Sequence, residues 1–220
     1  MATGTEASAS LQIQTLKMFT ALTLAREGWG GVLVLGGGLR GPGRALALAT
    51  LGVGAAGLFL ESDPAVLRAA QREGCCTFSV TTLDEALRAL KNEVRQERAI
   101  TVGLGGAMDG WLGEIAERGV LADVVGSESS EGVPGRWLLH GLGLVRCGAA
   151  SLDLEALLPQ GWSVTEEVAA SMAERRQQDA SIAPDGPMAD VMRAWMRVAP
   201  SLFPRDRGRA QWAAETPDLS

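Results

Sequence analysis

The sequence predicts an α/β protein with a doubly wound parallel sheet, because short apolar runs alternate with longer stretches of helical spacing. Five runs have the length of strands, and four stretches between them have the spacing of helices. The second observation is the segment VLVLGGGLRGPGR at 32–44, where a branched apolar run breaks into a glycine cluster just before a helical pattern. A strand, a glycine turn and a helix in that order open a Rossmann-like fold.

The individual elements follow from these patterns in chain order. We place strands at 32–35, 56–61, 75–80, 99–105 and 121–125, and helices at 42–54, 64–73, 82–97 and 109–118. The helix at 82–97 has the clearest pattern, since Thr81 or Thr82 can cap its start and acidic residues precede basic ones. Its apolar stripe consists of Leu83, Ala86, Leu87, Leu90 and Val94.

The two ends of the chain extend this sheet domain, which we bound at 11–150. Residues 1–10 are expected to be a flexible N-terminus, and the apolar residues that follow, among them Leu16 and Phe19, predict an N-terminal helix on the sheet. The segment RWLLHGLGLVRC, residues 136–147, predicts one more strand or a hairpin. A C-terminal helical extension at 151–203 contains helices at about 163–180 and 188–198, and the polar tail 204–220 is expected to be disordered.

Composition excludes several classes of function. The chain has 220 residues, 46% of them hydrophobic and 21% charged, and a formal net charge of −6. Nucleic acids and anionic membranes attract basic surfaces, so neither is an expected partner. No apolar run reaches the roughly 18 residues of a membrane span, and the start of the chain lacks a signal-peptide pattern. Three cysteines, an odd number, suggest a reducing, cytoplasmic location rather than a disulfide framework.

The glycine cluster is the main candidate for binding chemistry. Gly36, Gly38 and Gly41 match G-x-G-x-x-G between a strand and a helix, and Pro42 suits the first turn of that helix. Glu61 follows about twenty residues later at the end of the second predicted strand, where a carboxylate can accept hydrogen bonds from an adenosine ribose. These features favour NAD over NADP. The alternative interpretation is a glycine turn that merely builds the sheet, with Glu61 as a solvated strand end.

A longer pattern covers much of the chain. The segment TLDEALRAL, followed by RAITVGLGGAMDGWLGEIAERGVLADVV, resembles the urocanase (urocanate hydratase) family's "DLDEAL" helix, a strand ending in Gly-Asn-Ala, and "ELVRRGVxPDxVTDQTS". Ile13-Gln14-Thr15 with Phe19, and Ser171-Met172-Ala173, are similar to further family segments. The resemblance runs from Leu11 to about Glu131, and more faintly to Ala180. It identifies 11–150 as similar to the family's inner NAD-binding domain.

This resemblance implies a cofactor and a set of residues that hold it. In the urocanase family NAD is tightly bound, and its oxidised nicotinamide acts as an electrophile toward the imidazole of urocanate in histidine degradation. Carried over by position, the residues around the pyrophosphate are Gly36, Gly38, Gly41 and Gly43, and the residue at the adenosine ribose is Glu61. The second strand-end loop is Gly105, Gly106 and Ala107, and the pair near the nicotinamide is Ser129 and Ser130.

Departures from the family pattern bear on activity. Gly106 replaces the asparagine of Gly-Asn-Ala, and Ser127, Gly132 and Val133 stand where the family pattern has aspartate, histidine and aspartate. The sequence contains no tyrosine and no counterpart of the family's outer segments, which recognise urocanate. We therefore expect no hydratase activity from this chain alone. Three hypotheses remain: a urocanase-family NAD-binding protein that is either a truncated product or needs a companion, a non-catalytic NAD-binding or regulatory module, or a degenerate remnant.

The remaining candidates for chemistry carry weaker signals. His140 is the only histidine and cannot by itself build a histidine-based metal site, so no metal is expected. Cys75 and Cys76 are interpreted as small core residues rather than reactive thiols. Glu128 and Glu131 lie in a polar loop, and we interpret them as solvent-exposed side chains rather than ligand-binding ones. Because a lone inner domain would expose apolar surface, we expect a homo-oligomer or a companion protein. A stripe of Met188, Met192, Trp195, Met196 and Val198 is expected to pack on the core or on a partner.

Overall fold

Six parallel strands form one sheet in the computed structural model, which describes residues 11–12, 14–16, 18–20, 22–23, 27–120, 122–127, 144–146 and 187–203. The strands are β1 (Leu33–Gly37), β2 (Ala56–Glu61), β3 (Phe78–Val80), β4 (Ile100–Gly105), β5 (Val124–Ser127) and β6 (Leu144–Arg146). Their order across the sheet is β3-β4-β2-β1-β5-β6. The predicted parallel sheet is confirmed, and β6 lies within the segment predicted as one more strand or hairpin.

The direction of winding reverses at β1. The chain leaves β1 toward β2 on one side and later returns to place β5 on the other side, with Leu35 opposite Leu58 and Val125. In open α/β sheets a crevice forms outside the carboxyl ends of the strands at such a reversal. The carboxyl ends of β1 and β5 therefore mark the place where a ligand is expected.

Helices cover both faces of the sheet, as the doubly wound fold class requires. Residues 11–12, 14–16, 18–20 and 22–23 are helical (α1). The other helices are α2 (Gly41–Val53), α3 (Pro64–Arg72), α4 (Leu83–Arg95), α5 (Met108–Glu117) and α6 (Pro187–Leu202). Thr82 accepts a hydrogen bond from the Glu85 amide and caps α4, and Pro42 lies in the first turn of α2.

Two apolar cores lie on opposite faces of the sheet. On the first face, α1, α2, α3 and α6 pack against residues such as Val34, Phe59 and Val124. On the second face, α4 and α5 pack against Leu35, Leu58 and Val102. Strand residues such as Val34, Leu58 and Val102 have no exposed surface, which is the burial expected for strands covered on both sides.

The C-terminal helix belongs to the first core. Trp195 is 1% exposed, and its ring centroid lies 5.4 Å from that of Phe19 in α1 and 6.3 Å from that of Phe203. Val191, Ala199 and Leu202 are buried on the same helix face. Of the two partners expected for this stripe, the domain's own core is the one that Trp195 contacts.

The two largest differences between predicted and observed strand bounds have local reasons. Predicted strand 75–80 begins only at Phe78, because the Cys75 carbonyl accepts the Thr101 hydroxyl at 2.8 Å instead of joining the ladder. Predicted strand 121–125 begins at Val124, because the carboxylate of Asp123 accepts the Leu33 amide at 2.8 Å. Residues 1–10, the helix predicted at 163–180 and the tail 204–220 lie outside the described residues.

Cys75 and Cys76 are core residues, as the sequence predicted. They are 0% and 1% exposed, and neither forms a disulfide. Burial raises the pKa of each thiol to about 12, so both stay protonated and unreactive near neutral pH. Of the helices in the described part of the chain, none is both long and apolar enough to span a membrane.

Replacing Trp195 by alanine tests whether α6 is part of the folded core. We expect Trp195→Ala to lower the free energy of unfolding by about 3–5 kcal/mol, because a large buried aromatic side chain leaves a cavity. The measurement is urea unfolding followed by circular dichroism. Arg197→Ala, at an exposed position of the same helix, serves as the control and is expected to change stability by less than about 0.5 kcal/mol. Equal, small effects for both variants would contradict this packing.

Candidate functional site

The glycine turn lies at the carboxyl edge of the sheet, between β1 and α2. It begins at Gly37, the last residue of β1, and ends where α2 begins at Gly41. β1 is the strand at which the winding reverses, so the turn borders the crevice expected there. The structure thus places the sequence motif where an open α/β sheet binds ligands.

Two glycines of the motif are required by backbone conformation. Gly38 has φ +82° and Gly41 has φ +38°, values that other residues adopt only with strain. A Cβ added at either position would meet no atom within 4 Å. The surface of the turn is therefore bare, and another molecule can approach its backbone closely.

Two other glycines are required by packing. A Cβ on Gly36 would lie 2.3 Å from ring atoms of Phe59, its partner across the β1–β2 ladder. A Cβ on Gly43 would lie 2.2 Å from the Gly38 carbonyl oxygen. Gly36 thus makes room for the first core, while Gly43 lets α2 approach the turn.

The carboxylate of Glu61 forms a hydrogen bond with the backbone of the turn. Glu61 is 5% exposed, its Oε2 accepts the Leu39 amide at 2.8 Å, and its Oε1 accepts the Asp63 amide at 2.9 Å. The sequence placed Glu61 correctly at the end of β2 but predicted a side chain directed at a ligand or at solvent. In the structure both oxygens bind backbone amides, so the residue joins the glycine turn to the β2–α3 loop.

Some backbone groups of the turn have hydrogen-bond partners within the described residues, and others do not. The Gly38 amide donates to the Leu60 carbonyl at 2.7 Å, and the Leu39 carbonyl accepts Nε of Arg44 at 2.8 Å. The amides of Arg40 and Gly41 have no hydrogen-bond partner in the described part of the chain. Because they begin a 13-residue helix, these two amides carry its positive dipole end.

Two charged side chains, one from the turn and one from the β2–α3 loop, form an exposed ion pair. Nη2 of Arg40 lies 2.7 Å from Oδ2 of Asp63, with 68% and 41% of the two side chains exposed. Asp63 also caps α3, since its Oδ1 accepts the Ala65 amide at 2.8 Å. The Ala65 amide, with the nearby Arg40 guanidinium, lowers the pKa of the Asp63 carboxyl below its usual value.

The second predicted loop, Gly105-Gly106-Ala107, follows β4 at the same edge. The Gly106 amide donates to the Glu61 carbonyl at 2.9 Å, and Nε1 of Trp111 donates to the Gly105 carbonyl at 3.0 Å. Gly106 has φ +134°, and a Cβ there would lie 2.2 Å from Nε1 of Trp111. The indole ring therefore takes the space into which a side chain at position 106 would project.

Several predicted site residues cannot be placed in this geometry. Ser129, Ser130, Glu128, Glu131 and His140 lie outside the described residues. Within the described part of the chain, no group of three or more His, Cys, Asp or Glu side chains is arranged to hold a metal ion.

Sequence reasoning missed the side chains that shape the turn. The motif predicts no role for Arg40, Arg44 or Trp111, because a glycine pattern does not specify its charged or aromatic neighbours. Asp63 could have been found, since an aspartate before proline at a helix start is a typical N-cap. Its contact with Arg40 depends on the distance between two loops, which the sequence pattern does not give.

Glutamine at position 61 tests whether the Glu61 carboxylate stabilises the fold by joining the glycine turn to the β2–α3 loop, which we call its bracing role. Glutamine has one acceptor oxygen and one donor NH₂, so Glu61→Gln leaves either the Leu39 or the Asp63 amide without an acceptor. We expect a loss of about 1–3 kcal/mol in the free energy of unfolding, measured by urea denaturation. The control is Glu117→Gln at an exposed position of α5, expected within about 0.5 kcal/mol of the native chain. A Glu61→Gln chain as stable as this control would contradict the bracing role.

The family comparison agrees with the fold. The family model described as the urocanase Rossmann-like domain matches residues 13–140, more than half of the 220 residues. The matched segment contains most of α1, the glycine turn, Glu61 and the loop after β4. The family predicted from the sequence is confirmed: the chain belongs to the urocanase family, of which it carries the Rossmann-like domain.

Proposed function

We propose that this chain binds NAD along the carboxyl edge of its sheet, with the pyrophosphate on the turn Gly38–Gly41. The observation that carries the proposal is the pair of amides on Arg40 and Gly41, two exposed residues at the start of α2, which have no hydrogen-bond partner in the described residues. Amides at a helix start, together with the helix dipole, bind phosphate groups. The bare backbone at Gly38 and Gly41 allows the close approach that such binding needs.

The neighbouring strand ends give the rest of the dinucleotide a place. Glu61 of β2 lies beside the turn, and Gly105 of β4 is its partner in the next ladder. Neighbouring strands are about 4.8 Å apart. The turn, Glu61 and the β4 loop therefore follow one another along the edge at spacings similar to those between the pyrophosphate, ribose and base of a dinucleotide. Each carboxylate oxygen of Glu61 keeps a second lone pair, which can accept a ribose hydroxyl.

NAD, when bound, supplies an oxidised nicotinamide, which is an electrophile. The protein residues named above bind and orient: the turn amides hold phosphate, and Glu61 keeps the turn in place. None of these contacts moves a proton on a substrate. The function supported best is therefore cofactor binding, which the family relation favours.

We also infer that hydration of urocanate is not carried out by this chain alone. The β4 loop offers no side-chain amide at Gly106, and the N–H of Trp111 that fills the space is already bonded to the Gly105 carbonyl. In the described part of the edge, the charged groups nearest the turn are engaged with backbone amides or with each other. A second chain, either another copy or a companion, would supply the remaining groups.

The NAD proposal is tested with two matched glycine variants. Gly38 and Gly54 both have positive φ and open space where a Cβ would project, but Gly54 ends α2 at the opposite edge of the sheet. We expect Gly38→Ala to weaken NAD binding at least tenfold by calorimetric titration, because its methyl group covers backbone that the phosphate must approach. Gly54→Ala is expected to cost similar stability and to leave affinity within about twofold. Native protein that neither releases NAD on denaturation nor binds added NAD would overturn the proposal.

The inference about activity has its own test. We expect the purified chain, saturated with NAD, to leave the ultraviolet absorbance of urocanate unchanged over hours, because Glu61, Asp63 and Arg40 are engaged with backbone amides or with each other. An active urocanase assayed in the same buffer provides the positive control. Depletion of urocanate by this chain at a rate comparable with that enzyme would show that the inference is wrong.

A further inference from the structure

The glycine turn carries a positive charge that its motif does not require. Arg40 is the only Lys or Arg in the segment GGGLRGPG, residues 36–43. It occupies the N-cap position of α2 in an extended backbone conformation, and its own side chain makes no capping hydrogen bond. The side chain is instead 68% exposed to solvent.

Asp63 fixes the direction of this side chain. The Arg40 guanidinium lies 2.7 Å from the Asp63 carboxylate, and the Asp63 amide is bonded in turn to Glu61. Arg40 therefore reaches from the turn of β1 to the end of β2. In a dinucleotide site of this fold, that path runs from the pyrophosphate toward the 2′ position of the adenosine ribose.

The contact between the two side chains is of a kind that a ligand can replace. Exposed ion pairs contribute little to stability, because water screens both charges. A phosphate group matches the planar guanidinium with two oxygens, and a 2′-phosphate also carries more negative charge than a carboxylate. Asp63 keeps a second role without Arg40, because its other oxygen still caps α3.

We propose that Arg40 binds a phosphate group of the nucleotide, and that Asp63 competes with this phosphate for the guanidinium. The proposal rests on the proposed function, since it assigns a further residue to the same site. The phosphate is either part of the pyrophosphate, which NAD and NADP share, or the 2′-phosphate, which NADP alone carries. Arg40 and Asp63 then have opposite effects on affinity.

The test titrates NAD and NADP into the native chain and into Arg40→Gln and Asp63→Asn. We expect Arg40→Gln to weaken binding about tenfold and Asp63→Asn to strengthen it severalfold, because asparagine keeps the α3 cap but not the charge. Equal losses for both nucleotides in Arg40→Gln assign the pyrophosphate, and a loss for NADP alone assigns the 2′-phosphate. Both results support the proposal.

Arg98→Gln is the matched control. Arg98 forms an exposed ion pair with Glu93, also at 2.7 Å, but just before β4 at the opposite edge of the sheet. Its loss removes the same charge and is expected to change affinity less than twofold. Thermal unfolding of each variant shows that the fold is kept.

Two results would overturn the proposal while leaving the proposed function intact. The first is native affinity for both nucleotides in Arg40→Gln. The second is equal weakening by Arg40→Gln and Asp63→Asn, which would make the pair a structural brace. A native chain that binds neither nucleotide would overturn the proposed function and this inference together.

Discussion

The carboxyl edge of this domain depends on one buried carboxylate. Glu61 binds the amides of Leu39 and Asp63 through its side chain and the amide of Gly106 through its carbonyl. Those three amides belong to three different loops: the glycine turn, the β2–α3 loop and the loop after β4. Without the Glu61 carboxylate, the first two loops would each have an amide donor to satisfy elsewhere. The relative positions of the loops, and so the shape of the candidate site, follow from a single strand end.

Such a brace matters because the turn is rich in glycine. Glycine supplies the positive φ of Gly38 and Gly41 but also allows many other conformations, which favours disorder of an isolated turn. The Leu39 amide donates a hydrogen bond to Glu61, and the Leu39 carbonyl accepts one from Arg44; together these bonds favour one of those conformations. A turn held in one conformation in this way would need less ordering if the amides of Arg40 and Gly41 bind a ligand.

Local sequence patterns were sufficient to predict the architecture. Apolar runs predicted the five strands β1 to β5, the glycine cluster predicted the turn, and Thr82 and Pro42 marked helix starts correctly. The same patterns predicted only the place of Glu61, because the partners of a buried carboxylate depend on where other loops fold. The role of Trp111 was missed for a related reason. Its indole ring fills the space beside Gly106, and a glycine gives no sign in the sequence of which residue lies against it.

The contacts at this edge also constrain what kind of ligand it can favour. Glu61 is engaged with amides, and Arg40 is engaged with Asp63, so a neutral molecule entering the crevice would find few unused charges. An anion differs, because it can bind the amides of Arg40 and Gly41 and replace one member of an exposed ion pair without uncovering a buried charge. Selectivity for phosphate would then come from exchange at the surface of the turn, while the buried carboxylate beneath keeps its contacts. The proposed exchange would therefore change contacts only at the surface of the turn, and the hydrogen bonds of Glu61 that connect the turn to the neighbouring loop would be kept.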